Sequence, residues 1–531
     1  MGVDGSAHEL KVRVGLATEN IETLFARYGP AYRWIVTLTG MTAAMTMILS
    51  STMVNVAVPT IMGTFGVGQS EAQWMSTAFL AAMTASQLLG AWVISVLGPR
   101  GGYLGAVALF FVGSLIGAWA PNIDILILAR TLQGLAAGVV QPIVMVTIFR
   151  AFPTQQRGLA LSIYGMGIML APIMGPVVGG ITIDATSWRY LFFIPLPIAG
   201  FSVLLGTMFM PTRDKDTAPL PFNWLGYGLV VLAIICAMTA IANGQRDGWA
   251  SDKIVLLGSA AIGFSVAFVI SQLRATAPIL DFAVFRYRQF AAAAALGFVF
   301  GAGNFASVYI IPVFVQTVQN FTPTDAGLVS APAGIIVMLF FPIAGRMVDA
   351  FPPHYLAMVG LLLFALGAAL LHLTDVNTAF YTLVFYVIIG RVGQSIMLPA
   401  INVSALSALP PDKLNNGSGT INFVRLMGGA FGVNLLVVFI EQRTEFYSSV
   451  LTATQTPDNA ASREIMGRIS DLLSQGGLPD VLLRPGSLHF LGRVIEAQAD
   501  TMGFKDGFMI IAVVFVCALL PALMLGKSRK K

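Results

Sequence analysis

Fourteen apolar runs divide this chain, and each is long enough to cross a bilayer as a helix, which takes about 20 apolar residues. They cover approximately 34–60, 72–97, 102–120, 124–149, 157–183, 189–210, 222–243, 253–273, 290–315, 325–349, 354–373, 378–408, 417–440 and 504–526. Only 10% of the residues are Asp, Glu, Lys or Arg, and all but three of these fall between the runs or at their ends. A soluble multidomain enzyme of 531 residues needs far more polar surface, and a disordered chain could not keep so much apolar surface solvated. Both classes are excluded. Cys236 and Cys517 are too few for a disulfide framework. The net charge of +5 gives no reason to invoke nucleic acid. The sequence specifies an all-α polytopic membrane protein.

Loop charge fixes the expected topology. With both termini cytoplasmic, eighteen of the 30 Lys and Arg residues fall in inner segments. The short outer loops hold only Arg189, Arg246 and Lys253. A long outer loop, 441–503, holds five more, with Lys505 just past it, but long loops largely escape the positive-inside rule. The expected order is a cytoplasmic tail (1–32), a six-helix half (33–211), an inserted helix pair (212–275), a second six-helix half (276–526) and a basic cytoplasmic tail (527–531). Residues 1–32 lack the apolar core of a secretion signal. Within them "ENIETLFARYGP" reads as either a short amphipathic surface helix or a frayed tail. In the outer loop, 461–474 and 488–502 have helical spacing and read as a small cap.

The two halves carry a weak internal repeat. "QPIVMVTIFRAFP" (141–153) returns about 257 residues later as "LPAINVSALSALP" (398–410), pairing Pro142 with Pro399 and Pro153 with Pro410. Gly175 then falls opposite Gly432. Two related six-helix halves are the sequence trace of a secondary transporter, with its substrate path at the repeat interface.

Three arginines lie inside the runs. Arg130, in "ILILARTLQGLAAG", sits about two turns into the fourth, where a charge costs roughly 2.5–3.5 kcal/mol or more. Its guanidinium therefore faces the bundle interior or snorkels to the interface. Gln133 follows at helical spacing as donor and acceptor, and Gly134 and Gly138 allow close backbone approach. In the fifth run, Gly175 and Gly179 form a GxxxG face, while Pro172 and Pro176 each remove a backbone donor.

The stretches "RTLQG" with Gly138, and "GPVVGG" at 175–180, resemble the major facilitator superfamily, the second being similar to its antiporter motif. "STMVNVAVPTI" (51–61) with Trp74, "WRYLFFIPLPIA" (188–199), "PILDFAVFRYRQF" (278–290), "GLVSAPAGI" (327–335), "NFVRLMGGAFG" (422–432) and "QADTMGFKDGF" (498–508) resemble its fourteen-span drug:proton antiporter branch, of the EmrB/QacA type. The resemblance covers about 34–526, with the motifs in family order. It implies a major facilitator fold of fourteen transmembrane helices, two six-helix halves plus an inserted pair, exporting amphiphilic drugs by alternating access against a proton gradient. It assigns Arg130 to proton coupling, and Gly175, Pro176, Gly179 and Gly180 to a hinge and seal. Arg425 matches an arginine common in this branch, whereas Arg391 has no counterpart there and reads equally as a pore charge or a packing feature.

Two positions depart from the family pattern. Ser50 stands where the first span usually carries an Asp, although Thr52, Asn55 and Pro59 of that motif are kept. The loop after the second span has Ser95 and Val96 in place of an Asp-Arg latch, while the second half keeps Gly345 and Asp349. The family's proton sites therefore do not carry over. Every acid lies in a tail, in a loop or near a span end; Asp124 and Asp325 read as helix-start residues. A cavity with Arg130, Arg391 and Arg425 and no acid disfavours dicationic drugs and tolerates anionic, zwitterionic or neutral amphiphiles.

Other readings remain: an exporter of one endogenous metabolite (a fatty acid, siderophore or natural product), or a non-transporting scaffold or sensor. No nucleophile–base or metal-ligand cluster lies in the runs, so neither an enzyme nor a cofactor is expected. The expected partners are a small-molecule substrate, protons and the lipid bilayer of the inner (plasma) membrane. In a two-membrane bacterium the resemblance adds a periplasmic adaptor and an outer-membrane channel, with 441–503 as docking surface.

Overall fold

The computed structural model describes residues 20–153, 156–213, 221–410, 413–456 and 459–528. Most of the expected amino-terminal tail, part of the inserted segment (214–220) and the end of the basic tail (529–531) lie outside the described residues. Every regular element among those residues is helical. A short helix α1 (Ile21–Tyr28) is the amphipathic one of the two readings of "ENIETLFARYGP"; Asn20 caps it by accepting the Thr23 backbone N–H at 2.9 Å. The long helices follow as α2 (Tyr32–Phe65), α3 (Trp74–Gln87), α4 (Gly90–Ala118), α5 (Ile123–Ala151), α6 (Arg157–Ala185) and α7 (Pro195–Phe209). Next come α8 (Trp224–Asp247), α9 (Asp252–Arg274), α10 (Arg288–Thr317), α11 (Pro323–Ala350), α12 (Pro353–His372) and α13 (Phe380–Ser407). The chain ends on α14 (Leu414–Ala453), α15 (Ala460–Gln475), α16 (Asp480–Cys517) and α17 (Leu519–Met524).

Thirteen helices among the described residues are long and apolar enough to cross a membrane, one fewer than the fourteen runs. The difference is local. The second run is present as α3 and the 90–97 start of α4, interrupted by a turn at Leu88 and Leu89. Gly98, with φ 73 and ψ 168, then turns this run directly into the third, so one continuous helix assignment covers two crossings. Fourteen crossings put the first and last described residues at the same end of the bundle, called the terminal end below; the opposite end is the distal end.

Gly98 is also where the expected latch is replaced. The Arg213 guanidinium donates to the Val96 carbonyl at 3.0 Å, and Arg100 donates to the Met210 carbonyl at 2.7 Å. These bonds lace the second-to-third turn to the end of the sixth crossing through backbone acceptors. A Cβ on Gly98 would lie 2.6 Å from the Arg213 Cβ and 2.7 Å from its backbone N, in a left-handed conformation that disfavours side chains. Gly98→Val is expected to destabilise the protein by about 1–3 kcal/mol, read as a lower melting temperature in detergent. An unchanged melting temperature would show that this turn relaxes freely.

The two halves repeat the same packing. Helix α2 packs along α6 as α10 packs along α14; α4 packs on α5 as α12 on α13, and α3 on α5 as α11 on α13. Between halves, α6 meets α11, α3 meets α14 and α2 meets α10. The inserted helices α8 and α9 pack on each other, and α8 continues onto α14 and α3. Helix α9 is the most peripheral: Leu256, Ile262 and Leu273 are exposed, the surface expected of a helix facing lipid.

Helix starts follow their sequence. Asn122 caps α5 through the Ile125 N–H at 3.0 Å, with Asp124 in its first turn. Thr322 caps α11 through the Asp325 N–H at 3.1 Å. The 441–503 stretch is less of a loop than its composition predicts. Helix α14 continues to Ala453 and α16 begins at Asp480, with α15 packed on α16. Arg443 and Tyr447 on α14 both bond Asp506 on α16, at 2.6 and 3.0 Å, so the two crossings project together beyond their apolar segments.

Candidate functional site

The fourth crossing holds its arginine without a carboxylate. Arg130 is fully buried; its Nε donates to the Met75 carbonyl on α3 at 3.1 Å and its Nη1 to Gln133 Oε1 at 2.8 Å. The guanidinium carbon lies 4.4 Å from the centre of the Phe79 ring, a cation–π contact. Gln133 passes the network on, donating from Nε2 to Ser114 Oγ on α4 at 2.9 Å. One side-chain pair thus ties together the second, third and fourth crossings. The spacing explains it: residues three apart share a helix face. Gly134 and Gly138 fall on the α3 side, where a side chain would run into the Phe79 and Met83 carbonyls. No ion pair to Arg130 is found among the described residues, Asp124 included.

Two polar residues of the first crossing behave differently. Asn55 accepts the Ser76 hydroxyl at 2.7 Å and links α2 to α3. Ser50 is fully buried and its hydroxyl makes no hydrogen bond. It is too weak an acid to replace the missing carboxylate as a proton carrier.

The fifth crossing uses two faces. Gly175 and Gly179 pack on α2, against Thr52, Leu49 and Met53. Pro176 and Gly180 face α11 of the other half, where Gly180 meets Pro323 and Gly327 meets Pro176, backbone against backbone. Asp184 Oδ2 accepts the Thr324 backbone N–H at 2.9 Å, and Gln316 donates to the Val56 carbonyl at 3.0 Å. These hydrogen bonds between the halves lie toward the distal end, where Glu441 on α14 also hydrogen-bonds Ser70 of the first half. Pro172 is half-buried within α6. Gly345, toward the terminal end of α11, opens onto free space, and the side chain of Asp349 lies outside the described ones.

This architecture has known counterparts: a model of the Major Facilitator Superfamily matches residues 40–433. The chain belongs to that superfamily. It is a transporter family, not an enzyme family. Two of the curated superfamily relatives are the multidrug export protein EmrB of Haemophilus influenzae and the fatty acid resistance protein FarB of Neisseria gonorrhoeae. The first is 28% identical over 92% of this chain and 94% of its own, the second 27% over 94% and 97%. A crystal structure of a bacterial homolog of the human lysosomal transporter Spinster, inward-facing and unoccupied, matches with a TM-score of 0.61 at 14% identity, covering 93% of this chain and 98% of that one. The polytopic membrane fold of the superfamily is therefore the fold of this chain.

Within that fold the second half holds a counterpart the repeat alignment hides. Arg391 on α13 donates from Nη1 to Gln394 Oε1 at 2.7 Å and to Asn304 Oδ1 on α10 at 3.1 Å. Gln394 Nε2 also donates to Asn304 Oδ1, at 2.6 Å. Arg-x-x-Gln therefore occurs in the fourth crossing of both halves. The proline register places Arg391 opposite Gly134, four residues past Arg130 and so one turn deeper, which is why matching prolines misses it. Arg425, half-buried on α14, donates to Asn422.

Proposed function

We propose that this superfamily member is an exporter of drug-like amphiphilic small molecules in the inner (plasma) membrane, working by proton antiport and alternating access with both termini in the cytoplasm. The observation that supports it most is the backbone seam of α6 and α11, which closes one end of the space between two repeated halves. Alternating access requires the two halves to seal one end of the path at a time, and a close backbone seam suits such a seal. The loop charge supports taking the distal end as the outer one. The reading of the substrate as amphiphilic is supported by two relatives being named a multidrug export protein and a fatty acid resistance protein.

In this reading 33–211 and 276–526 are the moving halves and 212–275 the inserted pair. Arg130, Gln133 and Asn55 hold the first half's transport path together, and Arg425 lies on the second half's side of it. Gly134, Gly138, Pro172, Gly175, Pro176, Gly179 and Gly180 form surfaces over which helices shift, with Gly345 and Asp349 at the inner gate. Ser50 leaves the proton to another group. In a two-membrane cell the projecting 441–503 hairpin is the docking surface for a periplasmic adaptor leading to an outer-membrane channel.

Transport by purified protein in vesicles tests this directly. An imposed pH gradient is expected to raise dye movement about tenfold or more, with dye accumulating on the side that protons leave. Collapsing the gradient with an ionophore is expected to remove the increase. Dye movement indifferent to the gradient would sink proton coupling, and none at all would sink export.

A further inference from the structure

The two Arg-x-x-Gln sites share a motif but differ in what they leave unused. At Arg130, both Nε and Nη1 are spent on protein acceptors, and Nη2 is shut away from solvent without a partner. That guanidinium is inside the packing of its half. Arg391 uses Nη1 alone, and its Nε and Nη2 make no hydrogen bond among the described residues. Neither is among the sealed-off polar atoms, and the side chain is half-buried. The arginine is therefore open toward a space, eleven residues into a membrane-crossing helix, where a charge is tolerated only beside water or acceptors.

The neighbouring amides sharpen the chemistry. Asn304 Oδ1 receives both Arg391 and Gln394, and Gln394 Oε1 receives Arg391. The acceptors of this cluster are thus turned toward the guanidinium. What remains unspent is donors: Nε and Nη2 of Arg391, and the Asn304 amide N–H groups, which make no hydrogen bond among the described residues. A site offering only donors around a cation has no place for an ammonium group. It suits a planar anion that accepts two parallel N–H bonds, which is the geometry of a carboxylate on an arginine fork.

The surroundings of the guanidinium are mostly apolar. Arg391 borders a small pocket whose walls are mostly apolar, Ile311, Phe364, Val387 and Ile511 among them, with Ser307 and Tyr386 also on its lining. Gly301, one turn from Asn304 on α10, packs on the Arg425 carbonyl, so the backbone of a second arginine lies at a similar depth. No carboxylate pairs with either arginine among the described residues.

We infer that Arg391, oriented by Asn304 and Gln394, binds the carboxylate of an amphiphilic monoanion at the edge of the second half's apolar pocket. This rests on the transport reading for its purpose, but binding is measurable without transport. The probes are an environment-sensitive fluorescent dodecanoic acid and the matching alcohol, titrated into full-length protein in lipid nanodiscs. The wild type is expected to hold the acid about tenfold or more tighter than the alcohol. Arg391→Gln is expected to remove that preference while leaving alcohol affinity within about twofold, and Arg391→Lys to restore part of it. Asn304→Asp, which fills the fork with an internal carboxylate, is expected to weaken the acid selectively and keeps the site's polar groups paired if Arg391→Gln fails to fold. A wild type without preference for the acid would overturn the assignment, as would an acid preference surviving both Arg391→Gln and Asn304→Asp. Equal losses for acid and alcohol would assign Arg391 to packing instead. If acid binding depends on Arg391 but vesicles show no pH-driven movement, the transport reading fails and this site stands. If movement occurs while the acid preference survives, the converse holds.

Discussion

Replacing Arg130 by alanine or methionine is expected to lower export per inserted molecule by about tenfold or more, equivalent to about 1.4 kcal/mol on the rate-limiting step. The argument is one of connectivity. Arg130 bonds Met75 and Gln133 while lying over Phe79, and Gln133 bonds Ser114, so a single guanidinium fixes α3, α4 and α5 relative to one another. Deleting it strands the Gln133 and Met75 oxygens in a buried site, at a cost of about 1–3 kcal/mol for each. Removing an unpaired buried cation offsets part of that cost. The net loss of stability is therefore smaller than the bond count suggests, and transport is expected to suffer more than folding. Arg130→Met fills most of the volume and separates the two effects. Normal melting with at least about tenfold slower export is the expected result, measured on equal amounts of membrane-inserted protein. Wild-type export by Arg130→Met would reduce the arginine to packing.

Most of the fold was readable because the bilayer leaves few options. A run of about 20 apolar residues must be a helix if it crosses, since no water is there to satisfy its backbone. Sequence periodicity missed what depends on backbone torsion and on continuation past the membrane. Gly98 stands in a "LGPRGG" stretch that signals a turn, yet nothing local shows that the turn is tight enough for α4 to continue through it. The 441–503 segment is polar and so reads as a loop with a small helical cap, but much of it continues α14 and α16, stapled where Asp506 meets Arg443 and Tyr447, 63 and 59 positions away.

The site was half readable for a related reason. Arg130 announced itself by its cost in an apolar run, and its partner Gln133 by helical spacing. Met75 and Ser114 come from other helices, and main-chain acceptors leave no trace in composition. Arg391 carried the same signal as Arg130, but its meaning lies in Asn304, 87 residues away, and in which N–H groups remain open. The departure at Ser50 was visible in sequence. That its hydroxyl is buried without a partner required the neighbouring helices to be in place.

The largest effect outside the arginines is expected at the α6–α11 seam, where Gly180→Val or Gly327→Val should abolish export. A Cβ on Gly180 would come within 2.6 Å of the Pro323 carbonyl carbon and 2.7 Å of the Thr324 Cα; on Gly327 it would come within 2.7 Å of the Pro176 carbonyl carbon. All of these are backbone atoms in helices or caps, so no rotamer change relieves the overlap, and the halves must separate at the distal end. Separation also breaks the Asp184 bond to the Thr324 N–H, leaving the start of α11 without that acceptor. Each half keeps its own packing, because neither glycine contributes to the pairing of α2 with α6 or of α11 with α13. The variants are therefore expected to insert normally, yet to be unable to close this end, with export reduced by at least about tenfold. Because both glycines serve one seam, the double variant should cost less than the sum of the two single ones. An engineered cysteine at Gln316, in a background lacking Cys236 and Cys517, would report opening as faster labelling by a membrane-impermeant thiol reagent applied from the distal side. Unchanged labelling with lost export would place the defect elsewhere, and unchanged export would show that the seam is not a gate.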